Sequence, residues 1–209
     1  DTLAGLGVKF DSDEALTLVN EIMRTKCKAE FDSSVDMAIE IGKFDAFDPE
    51  IENTSDFVQF MAKEFPDTYE RMMEHGRRNI SISTVAPTGT VSLLAQTSSG
   101  IEPVFMLSYK RRRKATDLSD RESTFVDPSG DRWEEFDVYH AKLEEWKSLY
   151  PNKSIEESPY AGATAPEIDW KKRIELQALI QKYLTHSISS TINLPSDTSV
   201  EEVDEIYQL

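Results

Sequence analysis

The chain has 209 residues, 39% hydrophobic and 30% charged, and a formal net charge of −16. That length suits one domain or one large piece of a larger one, and no apolar run approaches the ~18 residues of a membrane-spanning helix. So acidic a chain is a poor general binder of nucleic acid. Its single cysteine, Cys27, excludes an internal disulfide and a multi-cysteine zinc site, and His75, His140 and His186 lack metal-ligand spacing.

From the N-terminus, Asp1 to Gly7 carries no basic stretch, so no signal peptide is expected and the cytoplasm is the expected compartment. The missing initiator methionine fits a processed or excised piece. A long helix is expected from Asp13 to Ile41. Asp11 and Glu14 have the spacing of a capping box, and Gly42 is the stop. Leu16, Val19, Met23, Cys27, Phe31, Val35 and Ala38 recur at three- to four-residue steps and form one buried stripe. Cys27 lies on that stripe, which makes it a packing residue rather than a redox group. A second helical region, 55–75, is broken at Pro66 and ended by Gly76, with Phe57, Phe60, Met61, Tyr69, Met72 and Met73 on its apolar face.

Residues 80–85 alternate as a strand, which Pro87 stops. Thr88-Gly89-Thr90 then leads into a helix that opens on Val91, Leu93 and Leu94. A small glycine-containing loop at a helix start offers main-chain N–H groups to an anion, typically a phosphate, and Thr88, Thr90 and Ser92 can add hydroxyls. Residues 76–114 hold seven basic groups (Arg77, Arg78, Lys110, Arg111, Arg112, Arg113, Lys114) against Glu102, a net +6 that could draw a small anion locally. The plainer reading of Lys110 to Lys114 is a solvated edge strand guarded by charge.

Further strands are expected at 104–112, 123–127 and 131–136, the last two joined as a hairpin through Pro128-Ser129-Gly130. A helix over 138–150 turns Leu143 and Trp146 inward, and 151–166 is loop. A helix over 167–186 carries Trp170, Ile174, Ala178, Tyr183 and Leu184, and an alternating strand follows to Leu194, stopped by Pro195. Ser199 and Glu202 form a capping box for a last helix. Strands 80–85 and 188–194 each follow a helix and end at a proline, as two parallel strands of an α/β sheet would, with their loops at the end where such sheets bind ligands.

With these residues in hand, the chain resembles part of the large catalytic subunit of ribonucleotide reductases. Arg78-Asn79 followed by Ala86-Pro87-Thr88-Gly89-Thr90-Val91-Ser92 is similar to that family's substrate-diphosphate loop. Ser98-Ser99-Gly100-Ile101-Glu102-Pro103 is similar to the motif just after it. Gln177, Gln181-Lys182 and Ser187 to Pro195 resemble the late barrel helix and strand, and Leu3 to Gly7 the region after the mid-barrel glycine motif. Pro-Thr-Gly-Thr followed by Thr-Ile-Asn-Leu-Pro is most similar to the adenosylcobalamin-dependent class.

The resemblance implies an α/β fold: about half of the family's ten-stranded α/β barrel, its C-terminal half, with long helices and a β-hairpin insertion, residues 1–209 being one region of a larger catalytic domain. It implies that Ala86, Pro87, Thr88, Gly89, Thr90, Val91 and Ser92 hold the diphosphate of a ribonucleoside di- or triphosphate. Glu102 and Pro103 would fix the loop by hydrogen bonds, with a catalytic Glu102 the lesser alternative. The radical cysteine and its barrel partners have no counterpart here, and Cys27 matches none of them. The chain therefore carries no catalytic residue of its own, and alone is expected to be inactive. The complete enzyme would use adenosylcobalamin, supply deoxyribonucleotides for DNA replication, and need the missing N-terminal half. No metal, nucleic acid or membrane is implied. An open half-barrel exposes sheet edges and should self-associate. Two other classes compete: a phosphate-binding module of another enzyme, disfavoured as a P-loop because no lysine follows Gly89, and an acidic protein-interaction domain without catalysis.

Overall fold

A computed structural model describes residues 1–115 and 124–209. They form two compact units, each discontinuous in sequence: residues 11–88 with 169–209, and residues 1–10 with 89–168.

The first unit is helical. Helices α2 (Asp13–Ile41), α3 (Pro49–Glu52), α4 (Asp56–Glu64), α5 (Pro66–His75), α8 (Trp170–Gln181) and α9 (Val200–Gln208) belong to it. The bounds of α2 are those the periodicity predicts, but the cap is Ser12 rather than Asp11: its hydroxyl accepts the Ala15 N–H at 3.1 Å. A serine directly before the first turn reaches that N–H with a shorter side chain, and Asp13 and Glu14 complement the dipole behind it. Gly42 ends α2 at φ 90°, a conformation that favours glycine. Pro66 does not kink one helix; it occupies the first turn of α5, where its missing N–H costs nothing. The core gathers Cys27, Phe31 and Val35 of α2, Val58 and Met61 of α4, Phe65, Met72, Phe47 and Tyr183. Helix α8 is shorter than the expected 167–186, and its buried face is Arg173, Leu176 and Ile180, with Ala178 turned to solvent. At α9 both halves of the Ser199–Glu202 capping box form.

Residues 80–85 and 187–194 do not build a ladder. They meet in one parallel bridge, Val85 with Ile188, flanked by His186 N–H to Ser83 C=O at 3.2 Å and Ser189 N–H to Val85 C=O at 3.1 Å. The predicted parallel direction is present and the extended ladder is not. Two parallel strands without further neighbours make a weak pair, and the Thr185 hydroxyl takes over the N–H groups of Ile82 and Ser83 at 3.0 and 3.3 Å.

The second unit holds α1 (Thr2–Gly5), α6 (Gly89–Ala95), β1 (Ser108–Lys114), β2 (Phe125–Val126), β3 (Arg132–Tyr139), α7 (Ala141–Leu149) and a 3-10 turn at Ile155–Glu157. The three strands form an antiparallel sheet in the order β1-β3-β2. The expected hairpin is β2–β3, except that Ser123 lies outside the described residues. Its turn is built by Asp127, whose Oδ1 accepts the N–H groups of Ser129 and Asp131, each at 2.9 Å, with Gly130 at φ 87°. The core here is smaller: Val104, Leu143 and Tyr160, with Trp146 and Leu107 against them.

Candidate functional site

The expected phosphate loop divides between the two units. Ala86, Pro87 and Thr88 close the run 11–88, and Gly89 opens the run 89–168. Ala86 to Val91 are exposed. The strained residue is Thr88, at φ 31°, not the glycine beside it. A β-branched residue pays for positive φ, and such strain persists only where its surroundings hold it. Gly89 begins α6, and a Cβ built on it meets nothing within 4 Å. The loop's backbone demand therefore falls on Thr88, while a Cβ at Gly89 would stand in open space.

Ser92 is buried, and its hydroxyl donates to the Gly89 carbonyl at 2.8 Å. That contact lies within α6. Ser92 also lines a groove of about 510 Å³ with Ser98, Ser99, Glu102, Pro103 and His140. The groove therefore brings together three of the expected site residues, Ser92, Glu102 and Pro103. Glu102 fixes its turn through the main chain, its N–H donating to the Ser99 carbonyl at 3.2 Å. Its carboxylate makes no hydrogen bond or ion pair among the described residues. Pro103 is buried beneath it.

One carboxylate that the sequence pattern does not single out organises this groove. Asp1 Oδ2 accepts the Thr97 hydroxyl at 2.8 Å and the Ser98 N–H at 2.6 Å. Asp1 Oδ1 lies 2.7 Å from His140 Nε2 and accepts the Tyr160 hydroxyl at 2.9 Å. The His140 side chain is 14% exposed, and the residue directly precedes α7. Burial pushes its imidazole below the usual histidine range. The signal available was only that a histidine and an acid stood at element boundaries.

The basic run is answered by acids. In the β1–β3 register Lys110 and Arg112 reach Glu135 at 3.1 and 2.7 Å, Arg113 reaches Glu134 at 2.5 Å, and Lys114 reaches Asp131 at 2.6 Å. Arg112 and Arg113 also lie over Phe125 and Phe136. This is the charged, solvated strand of the plainer reading, with four of its five basic groups paired to acids.

Cys27 is 1% exposed with its sulfur 3.9 Å from that of Met61. Burial, then the Glu30 charge, pushes its thiol up to about 12. A thiol held protonated at neutral pH is neither nucleophile nor metal ligand. Among the described residues, no group of three or more His, Cys, Asp or Glu side chains is placed to hold a metal ion. No helix among them is long and apolar enough to cross a membrane.

Comparison with known proteins is consistent along the whole chain. The family profile described as "Ribonucleotide reductase, barrel domain" matches residues 1–209. A vitamin B12-dependent ribonucleoside-diphosphate reductase of Mycobacterium tuberculosis is 32% identical over 210 residues, which is 99% of this chain and 27% of the relative. One of the same description from Thermoplasma acidophilum is 34% identical over 137 residues, 63% of this chain and 17% of the relative. The class Id ribonucleotide reductase alpha subunit of Actinobacillus ureae superposes with a TM-score of 0.59 at 18% identity, over 99% of this chain and 34% of that one. The chain thus spans about a quarter of the length of the first of these relatives.

Proposed function

The chain belongs to the ribonucleotide reductase barrel-domain family, and on that premise we propose that it is the part of a ribonucleotide reductase that holds the substrate's diphosphate. The observation that carries this is the match of one barrel-domain profile to every residue from 1 to 209. It supports the α/β barrel fold and disfavours a free-standing interaction module. The reaction is reduction of a ribonucleoside di- or triphosphate to its 2′-deoxy form, in the cytoplasm, by a larger protein of which residues 1–209 are one region. The names of the relatives favour the diphosphate.

In this reading Ala86 to Ser92 meet the diphosphate through the main-chain N–H groups of the loop's non-proline residues and the Thr88 and Thr90 hydroxyls. Exposure of the loop and the open space before Gly89 leave room for it. The Ser92 hydroxyl, bonded to the Gly89 carbonyl, shapes the turn. Glu102 and Pro103 shape the segment behind it. The radical cysteine belongs to another part of the enzyme.

Adenosylcobalamin supplies the radical when bound to the complete enzyme. No residue of this chain is assigned to holding it. The reading is tested by supplying this chain with the polypeptide that precedes the matched region in its relatives, together with adenosylcobalamin and CDP. Formation of dCDP only when both pieces are present is the expected result; no dCDP from a folded mixture contradicts it.

Self-association follows from the same reading. Val91, Leu93 and Leu94 of α6 are 65, 80 and 87% exposed, an apolar face that water does not favour. Light scattering of this chain alone at tens of micromolar (roughly where such contacts take hold) is expected to show species larger than a monomer. A clean monomer contradicts it.

A further inference from the structure

Arg77 is a buried charge of the helical unit with several partners, and it lies just before the segment that leads to the proposed loop. It is 8% exposed. Its Nη1 pairs with the Glu52 carboxylate of α3, and both side chains are largely buried. The guanidinium lies 5.3 Å from the Phe44 ring centroid and 5.9 Å from that of Phe47. An ion pair alone would need no more. Yet Nε donates to the Asn79 carbonyl at 3.1 Å and Nη2 to the Ile80 carbonyl at 3.2 Å. A guanidinium is a rigid planar fork. One edge here grips two consecutive main-chain carbonyls while the other end is held by Glu52.

The same stretch is gripped from α2. Ser34 donates its hydroxyl to Asn79 Oδ1 and accepts the Asn79 N–H, both at 3.0 Å, and the Ser34 carbonyl takes the Arg78 N–H at 2.9 Å. Five residues after Ile80 the chain meets Ile188 at Val85, and Ala86 follows. The path into the loop is therefore set at its root by side chains, since no ladder sets it there.

We infer that Arg77 is a positioning residue for substrate binding: its fork, braced by Glu52, fixes the course of residues 79–85 and with it the placement of Ala86, Pro87 and Thr88. The link to substrate rests on the reductase reading; the grip on residues 79 and 80 does not. Lysine in place of Arg77 keeps a charge for Glu52 but cannot hold two carbonyls along one edge. Arg77→Leu strands Glu52 and risks misfolding, so the variants of choice are Arg77→Lys and Glu52→Gln.

The experiment uses the full-length protein. Amide hydrogen exchange is followed over residues 79–88, and KM and kcat for CDP are measured alongside. For both variants, exchange over 79–85 is expected to quicken at least about tenfold. KM is expected to rise at least about fivefold with kcat within about twofold. A purely structural Arg77 would lower the unfolding midpoint and leave KM unchanged, which overturns the inference, as does unchanged exchange over 79–85. Failure of the reductase reading is separately visible, because the unaltered protein would then turn over no CDP while the exchange comparison still reports on the grip.

Discussion

Phe65→Ala is expected to destabilise the helical unit by about 3–5 kcal/mol, the cost of emptying a large aromatic site that cannot collapse. Phe65 is 1% exposed and joins α4 to α5, serving as the C-cap of one and the N-cap of the other. Its ring stands edge-on to Phe60 with centroids 6.2 Å apart, and the Arg24 guanidinium lies 5.2 Å from its centroid. Truncation loses the transfer energy of the ring, the aromatic contact and the cover over Arg24 together. Against a typical total stability of about 5–15 kcal/mol, that is enough to unfold a marginal unit. Leu94→Ala, at 87% exposed, is the control and should change stability by less than about 0.5 kcal/mol. Urea unfolding of the two variants makes the comparison, and a Phe65→Ala midpoint close to that of Leu94→Ala would contradict the assigned core.

Gly89→Leu is expected to weaken CDP binding by the full-length protein about 100-fold or more while leaving the fold intact. The fold should tolerate the change because a Cβ at Gly89 meets nothing within 4 Å, its φ is not positive, and glycine is a poor residue in a helix. The same open space is where the diphosphate is proposed to lie, so a leucine side chain competes with the ligand and not with the protein. A 100-fold loss is about 2.7 kcal/mol, more than a rearranged exposed side chain recovers. Calorimetric titration with CDP gives the binding constant, and thermal unfolding gives the control. Unchanged affinity in a folded variant would remove Gly89 from the site.

Much of this architecture can be read from the residue pattern, for physical reasons that differ from element to element. The 29 residues of α2 are fixed by a long 3.6-residue periodicity bounded by a cap and a glycine, so both ends are legible. Pro66 and Gly76 likewise punctuate α4 and α5. The β2–β3 turn is legible because Asp127 and Gly130 impose it locally. Strands 80–85 and 187–194 are legible only in direction, because a ladder needs neighbours and alternation in one segment does not provide them. In the loop, the glycine draws the eye as the flexible position, yet Thr88 bears the positive φ, a choice made by tertiary context. Asp1 stands 139 residues from His140 and 159 from Tyr160, and no local spacing predicts such a meeting. Arg77 is counted with the basic groups by composition, but its burial against Glu52 is set by packing around Phe44 and Phe47.

Ala86 to Ser92 are proposed to receive the diphosphate. Hydrogen exchange of the full-length protein with and without saturating CDP tests it most directly, since main-chain N–H groups that bind phosphate exchange more slowly. New protection is expected in peptides covering residues 86–92. Tight CDP binding with protection elsewhere and none over those residues would contradict it.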